Sequence, residues 1–272
     1  MNIKYPHASI IFKIEVDDNN LYHYLKTYFG TAVLDDNSLA DNNLEIYYIK
    51  VFYHDDQMEI IYKSSYKKFY VEKINVIHVI FMIIRDNLSF EENWTAYHGS
   101  VVNLDGRNYL FMGESGAGKT TMVTYLLNIC SARIFTEDIV IINYLKNEVS
   151  PLHRPLFLRN PAYELLLKNG VKFNGVLSHV TEYGIDRIRY IPNEMQIVNH
   201  ECAIDACIIL HIDKTVSQIS ANHNLDSFVY NSYLHKTIEK NIKSSIRLYK
   251  IIPMYIMHYY GFNEIYDMLR SL

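Results

Sequence analysis

The chain has 272 residues, 49% hydrophobic and 21% charged, which supplies one substantial core, or one core plus a smaller unit, and excludes a disordered chain. Lys and Arg number 26 against 30 Asp and Glu, so the net charge is -4 and no basic excess exists to neutralise a phosphate backbone; nucleic acid is excluded as a main partner. Cys130, Cys202 and Cys207 have neither CxxC spacing nor an even count, which argues against a disulfide framework or a Cys-ligated zinc and favours a reducing cytoplasm.

Residues 1–5 lead into strand-like sequence instead of a basic segment followed by an apolar run, so no export signal is expected. Residues 9–70 alternate short β-rich runs with Asp/Asn clusters. The runs at 10–14, 44–49 and 58–62 read as strands, and the clusters at 17–20, 35–38 and 41–43 read as their turns. From 71 to 87 the spacing of Ile74, Ile77, His78, Phe81 and Ile84 predicts a helix. Its apolar part, 74–84, is interrupted by Asn75 and His78 and is about half the ~20 residues a membrane helix needs, so it reads as a buried helix and no membrane partner is expected. Residues 1–90 are therefore expected to form a small β-rich domain closed by a helix, and 91–272 a second domain; only a change of pattern marks the boundary.

Beyond residue 96, strands at 100–103 and 108–112 flank Leu104-Asp105-Gly106-Arg107, where Asp-Gly is a strong hairpin signal. A helix over 120–128 follows, then a strand over 132–135 ending in Thr136-Glu137-Asp138. A second hairpin is expected over 139–150, turning at Lys146-Asn147-Glu148. Residues 161–200 show no readable period. Apolar runs at 203–212 and 248–260 read as strands around a helical stretch at 227–242, and Gly261 precedes a final helix over 263–272. This alternation argues an α/β or α+β core.

Gly113-Glu114-Ser115-Gly116-Ala117-Gly118-Lys119-Thr120 matches G-x-x-x-x-G-K-[ST]. The chemistry requires those residue types. Glycines let consecutive backbone N–H groups point at a phosphate, the helix N-terminus adds its positive end, Lys119 bridges the β- and γ-phosphates, and the Thr120 hydroxyl sits on Mg²⁺. A chance glycine-rich turn predicts no particular flanks, yet here an apolar strand over 109–112 enters the loop and a helical run beginning at Thr121 leaves it. ATP and Mg²⁺ are the expected cofactors.

Asp138 lies only nineteen residues after Lys119, at the expected end of the next strand. A one-helix crossover would bring Glu137 and Asp138 to the mouth of the loop, one to bind Mg²⁺ through water and the other to accept a proton from an attacking hydroxyl. The bland alternative is an exposed strand end carrying two acids. His98, just before the first hairpin strand, is a candidate for the γ-phosphate side, although a lone histidine is more often structural. Arg154, Arg159, Arg187 and Arg189 are the candidates for following charge on the transferring group.

His98-Gly99, the Asp-Gly hairpin, the 113–120 motif and Glu137-Asp138 together resemble the catalytic domain of HPr kinase/phosphorylase and its relatives, among them kinases of peptide natural-product clusters such as the lasso-peptide kinases. Ile252-Pro253-Met254-Tyr255-Ile256 before a short helix resembles the close of those chains. The resemblance covers roughly 96–272. It implies a P-loop core of the type shared with phosphoenolpyruvate carboxykinase, an active-site role for His98, and Asp138 as general base with Glu137 and Thr120 at the metal. The Arg-Gly-rich signature of true HPr kinases is missing, its place taken by Leu156-Phe157-Leu158-Arg159-Asn160-Pro161, and residues 1–90 do not resemble the regulatory domain of those enzymes. HPr as substrate and a phosphorylase back-reaction are therefore not implied.

The leading expectation is an ATP-dependent kinase acting on a Ser or Thr hydroxyl of a peptide or protein, with residues 1–90 recognising the acceptor or mediating a homo-oligomer contact. A small-molecule kinase acting on an amino acid or sugar hydroxyl is the alternative. A non-catalytic nucleotide-binding regulator is the third, for which loss of Lys119 or of the acids would be expected; both are present.

Overall fold

The computed structural model describes residues 1–34, 44–54, 57–62, 67–72, 76–88, 90–182, 185–213, 217–232, 238–262 and 264–272. The first elements are β1 (Asn2–Ile3), β2 (Ile10–Val16), α1 (Asn19–Phe29), β3 (Val33–Leu34), β4 (Glu45–His54), β5 (Gln57–Tyr62), β6 (Lys67–Glu72) and α2 (Val76–Asn87). Their strands form a six-stranded sheet in the order β3-β1-β2-β4-β5-β6. β2 and β4 pair in parallel, Ile10 opposite Glu45, and the remaining pairs are antiparallel.

Two sequence expectations are corrected here. The Asp/Asn cluster at 17–20 is the start of α1 and not a turn between strands. Asp18 caps the helix by accepting the Leu21 N–H at 2.9 Å, and Leu21, Leu25 and Phe29 form the buried face. The helix expected from residue 71 begins at Val76, because 67–72 is β6. The turns expected at 35–38 and 41–43 lie outside the described residues.

The chain continues with β7 (Trp94–Leu104), β8 (Arg107–Met112), α3 (Lys119–Ile129), β9 (Arg133–Asn143), β10 (Glu148–Ser150), β11 (Leu156–Leu158), α4 (Asn160–Lys168), β12 (Gly175–Glu182) and β13 (Ile185–Pro192). Then come β14 (Cys202–Ala203), β15 (Ala206–Ile212), β16 (Gln218–Ala221), α5 (Asp226–Tyr230), α6 (Ile238–Ile251), β17 (Met254–Tyr259) and α7 (Ile265–Arg270). Eight strands form the central sheet, β14-β10-β9-β7-β8-β15-β17-β16, and β11-β13-β12 form a small third sheet. The structure is mixed α/β.

Asp105 and Gly106 make the expected turn between β7 and β8, both with positive φ (51° and 83°), as a two-residue hairpin requires. β7 is antiparallel to both β8 and β9, so those two run parallel one strand apart, connected through α3. The strand expected to stop at Asp138 instead continues to Asn143, and β10 returns beside it. The run at 203–212 divides into β14 and β15, and 248–260 contains the last turn of α6 before Pro253 and β17. The unreadable segment 161–200 holds α4, β12 and β13.

Which face each β7 residue uses decides where chemistry can occur. Trp94 and Ala96, with Ile139, Ile141 and Leu152, pack into the core of the N-terminal elements. Val102, Leu104 and Ile134 pack with Met122 and Leu126 beneath α3. Between these two cores, on the same face by strand alternation, stand His98 and Ser100. The opposite face packs Tyr97, Val101, Leu110 and Val140 against Leu248 and Ile252, and the Tyr97 hydroxyl lies 3.1 Å from that of Ser244 on α6. Among the described residues no helix is long and apolar enough to cross a membrane. Cys130, Cys202 and Cys207 are free thiols.

Candidate active site

The loop at 113–120 leaves β8 and enters α3 through three glycines with positive φ: Gly113 (143°), Gly116 (91°) and Gly118 (82°). Gly118 is constrained doubly. Its backbone is left-handed, and a Cβ there would lie 2.0 Å from the Tyr259 hydroxyl, which itself donates to the Ala117 carbonyl at 2.9 Å. Glu114 and Ser115 are exposed, whereas Lys119 is buried. The Lys119 ammonium donates to the carbonyls of Gly113 (2.8 Å) and Glu114 (3.1 Å). Burial lowers its pKa against the opposing pull of Glu137 and Asp138. Thr120 and Thr121 follow on the first turn of α3, both half-buried.

The Thr120 hydroxyl donates to Glu137 Oε1 at 2.5 Å, which joins the loop to the acid pair. Glu137 stands opposite Ser100 and Asp138 opposite Gly99. The register shifts between Val101 and Val102, and Asp138 has φ 70°, a left-handed backbone that costs a non-glycine residue roughly 1 kcal/mol or more. The Thr136 hydroxyl bridges this kink to the Ile139 carbonyl. The acids thus lie inside β9, just past a bulge at Phe135 and Thr136, not at the strand end the sequence suggested. His98, expected just ahead of the strand, lies within β7.

Asp138 meets two basic partners. Oδ1 lies 3.1 Å from His98 Nδ1, and Oδ2 accepts from Arg154 Nη1 at 3.0 Å. Burial would raise the Asp138 carboxyl, but the His98 hydrogen bond and the Arg154 charge hold it well below the usual carboxylate range. Glu137 behaves oppositely: burial, followed by the neighbouring Asp138 charge, pushes it up to about 7. Two adjacent carboxyls are therefore driven apart by their surroundings.

Of the four candidate arginines, Arg154 is the one the structure brings onto Asp138. Arg189 lies on β13 with its Nε donating to Ser178 at 2.9 Å, Arg187 is half-buried on the same strand, and Arg159 is exposed at the start of α4. A cleft of about 240 Å³ opens against Glu137 and Arg154, with Lys26 and Thr31 on its α1 side and Ile191 on β13. The sequence reading missed Tyr28, Phe81 and Tyr259, which complete these surroundings. No local signal marks them, because each arrives from an element remote in the chain.

The donor set suits magnesium. Among the described residues no group of three or more His, Cys, Asp or Glu could hold a metal ion. Mg²⁺ needs less protein than that, since it takes one or two carboxylates, waters and phosphate oxygens. Thr120 and Glu137 offer a hydroxyl and a carboxylate in contact. Ser100, directly opposite Glu137, keeps a buried hydroxyl with no partner among the described residues.

No family model matches the chain, and no curated protein matches it. Among solved structures, the Hpr(Ser) kinase/phosphatase from Coxiella burnetii is similar over 65% of this chain and 94% of that chain, at 13% identity and a TM-score of 0.34. The functional reading therefore rests on the site itself.

Proposed function

We propose that the chain is a phosphotransferase that binds ATP with Mg²⁺ at the 113–120 loop and passes the γ-phosphoryl group to a hydroxyl, in first place a Ser or Thr of a peptide or protein in a reducing cytoplasm. One observation carries this: the Thr120–Glu137 contact, which ties a glycine-rich loop at a helix N-terminus to an adjacent pair of acids, Glu137 buried and Asp138 half-buried. Phosphate oxygens would replace the two loop carbonyls that Lys119 now holds, and the α3 N-terminus would add its N–H groups. Thr120 and Glu137 would hold Mg²⁺, which supplies neutralisation of the charge on the β- and γ-phosphates.

Asp138 orients the acceptor hydroxyl and takes its proton as the new O–P bond forms and the bond to the leaving ADP oxygen breaks. In a loose phosphoryl-transfer transition state the hydroxyl proton leaves late, so a permanently ionised, weakly basic carboxylate suffices. His98 and Arg154 fix its two oxygens. That double engagement also favours a second reading in which the roles are exchanged, Glu137 accepting the proton and Asp138 serving the metal. Comparing Glu137→Gln with Asp138→Asn separates them, because the metal residue changes the magnesium requirement and the base changes turnover.

The test is incubation with γ-labelled ATP, Mg²⁺ and candidate hydroxyl acceptors, with mass readout, for wild type and Lys119→Ala. Transfer that falls by orders of magnitude in Lys119→Ala supports the reading; equal turnover in both removes it.

A further inference from the structure

We propose that α1 and α2 belong to the catalytic machinery, with Tyr28 and Phe81 as positioning residues that hold Arg154 against Asp138. This rests on the phosphotransferase reading and adds to it a function for the N-terminal elements other than acceptor recognition or oligomerisation.

Arg154 lies in the segment between β10 and β11, which holds no helix or strand and only an isolated bridge between Leu152 and Thr136. Its side chain is nonetheless only 3% exposed. Its surroundings come from the other end of the sequence. Nε donates to the Tyr28 carbonyl at 3.0 Å. The guanidinium sits 4.6 Å from the centroid of the Tyr28 ring and 5.9 Å from that of Phe81. Those two rings meet edge to face at 6.2 Å, so α1 and α2 together form an aromatic bracket around the cation. The remaining arm reaches Asp138 Oδ2 at 3.0 Å.

The backbone locks the same junction. The Thr31 N–H donates to the His153 carbonyl at 2.9 Å, and the His153 N–H donates to the Thr31 hydroxyl at 3.0 Å. A planar fork with one edge on a backbone carbonyl and its face on aromatic rings has little freedom in where it presents its other nitrogens. Asp138, with a left-handed backbone inside β9, depends on such partners for its side-chain direction. A misplacement of about 1 Å at a reacting carboxylate can cost on the order of 10² in rate, so the bracket is within reach of turnover without touching substrate.

The chain as it stands is tested with Mg·ATP, water serving as the acceptor, and γ-phosphate release is the readout. Tyr28→Ala is expected to lower turnover by roughly 10- to 100-fold while the ATP Kd changes by less than about threefold, and Tyr28→Phe, which keeps the ring and the carbonyl, restores most of the rate. Combined with Arg154→Lys, the loss should be less than the product of the single losses, as expected for groups acting through one contact. Phe81→Leu is the second variant, used where Tyr28→Ala does not fold. Turnover equal to wild type in both bracket variants overturns the proposal, as does a parallel loss of ATP affinity. If wild type and Lys119→Ala release phosphate equally, the phosphotransferase reading fails, and the bracket is judged by a crystal structure of Tyr28→Ala. An Arg154–Asp138 separation beyond about 4 Å there supports positioning, and an unchanged 3.0 Å contact overturns it.

Discussion

Thr120 and Glu137 are seventeen positions apart, yet the threonine hydroxyl meets the glutamate carboxyl at 2.5 Å. The contact exists because α3 returns the chain to β9 one strand away from β8, and because the bulge at Phe135 and Thr136 puts Glu137 on the face that Ile134 turns to α3. A glycine-rich loop and an acid pair thereby become one site.

If that pair holds magnesium, Glu137→Gln should raise the magnesium concentration needed for half-maximal turnover by about tenfold or more, with partial recovery at high magnesium. A magnesium titration of phosphate release checks this. An unchanged magnesium requirement with a collapsed maximum rate would instead assign Glu137 to proton transfer.

The two acids should also give opposite pH signatures in stability, measured by urea unfolding without nucleotide or magnesium. Asp138 is held below its ordinary range in the folded protein, so its contribution is present above about pH 4 and is lost as pH falls further. Glu137 has a folded pKa raised to about 7, so its contribution is present below its ordinary value near 4.5 and is lost as pH rises through about 7. Wild type should therefore lose stability relative to Glu137→Gln between pH 5 and pH 8, and relative to Asp138→Asn it should lose stability as pH falls below 4. Parallel pH profiles for wild type and both variants would contradict these environments.

Gly30 tests the junction between α1 and the rest of the chain. Its φ is 55°, and a Cβ there would lie 2.1 Å from the His153 carbonyl oxygen, a backbone atom unable to swing aside. Gly30→Ala should cost about 2–4 kcal/mol, through both strain and overpacking. Gly170→Ala, also at positive φ (78°) but facing open space, should cost only about 1 kcal/mol. Denaturant midpoints of the two variants provide the comparison.

What the sequence revealed was chiefly local. Asp105-Gly106 specifies a turn that needs two positive φ angles, and the 113–120 motif specifies a strand, a loop and a helix, so both could be read from neighbouring residues. The helix α1 was hidden because Asp18-Asn19-Asn20 has turn composition. Its apolar face consists of only Leu21, Leu25 and Phe29 among tyrosines and polar residues. Candidate acids were identifiable from composition and order, but the bulge just before them and the left-handed backbone of Asp138 were not, since the register comes from pairing with β7. The partners of Arg154 were the least legible. Tyr28 is 126 positions away, and a cation over an aromatic ring leaves no periodic trace.

The most direct measurement of the central claim is the rate of γ-phosphoryl release or transfer per bound ATP for wild type and Asp138→Asn, with occupancy measured in the same sample. Asp138 touches His98 and Arg154, whereas on the proposed reading the loop and Lys119 would supply the phosphate contacts. The account predicts ATP affinity within about tenfold of wild type and a rate per bound ATP lower by ~10²–10⁴. An equal rate per bound ATP in the two proteins, or no ATP bound by wild type at millimolar concentration with magnesium, would contradict it.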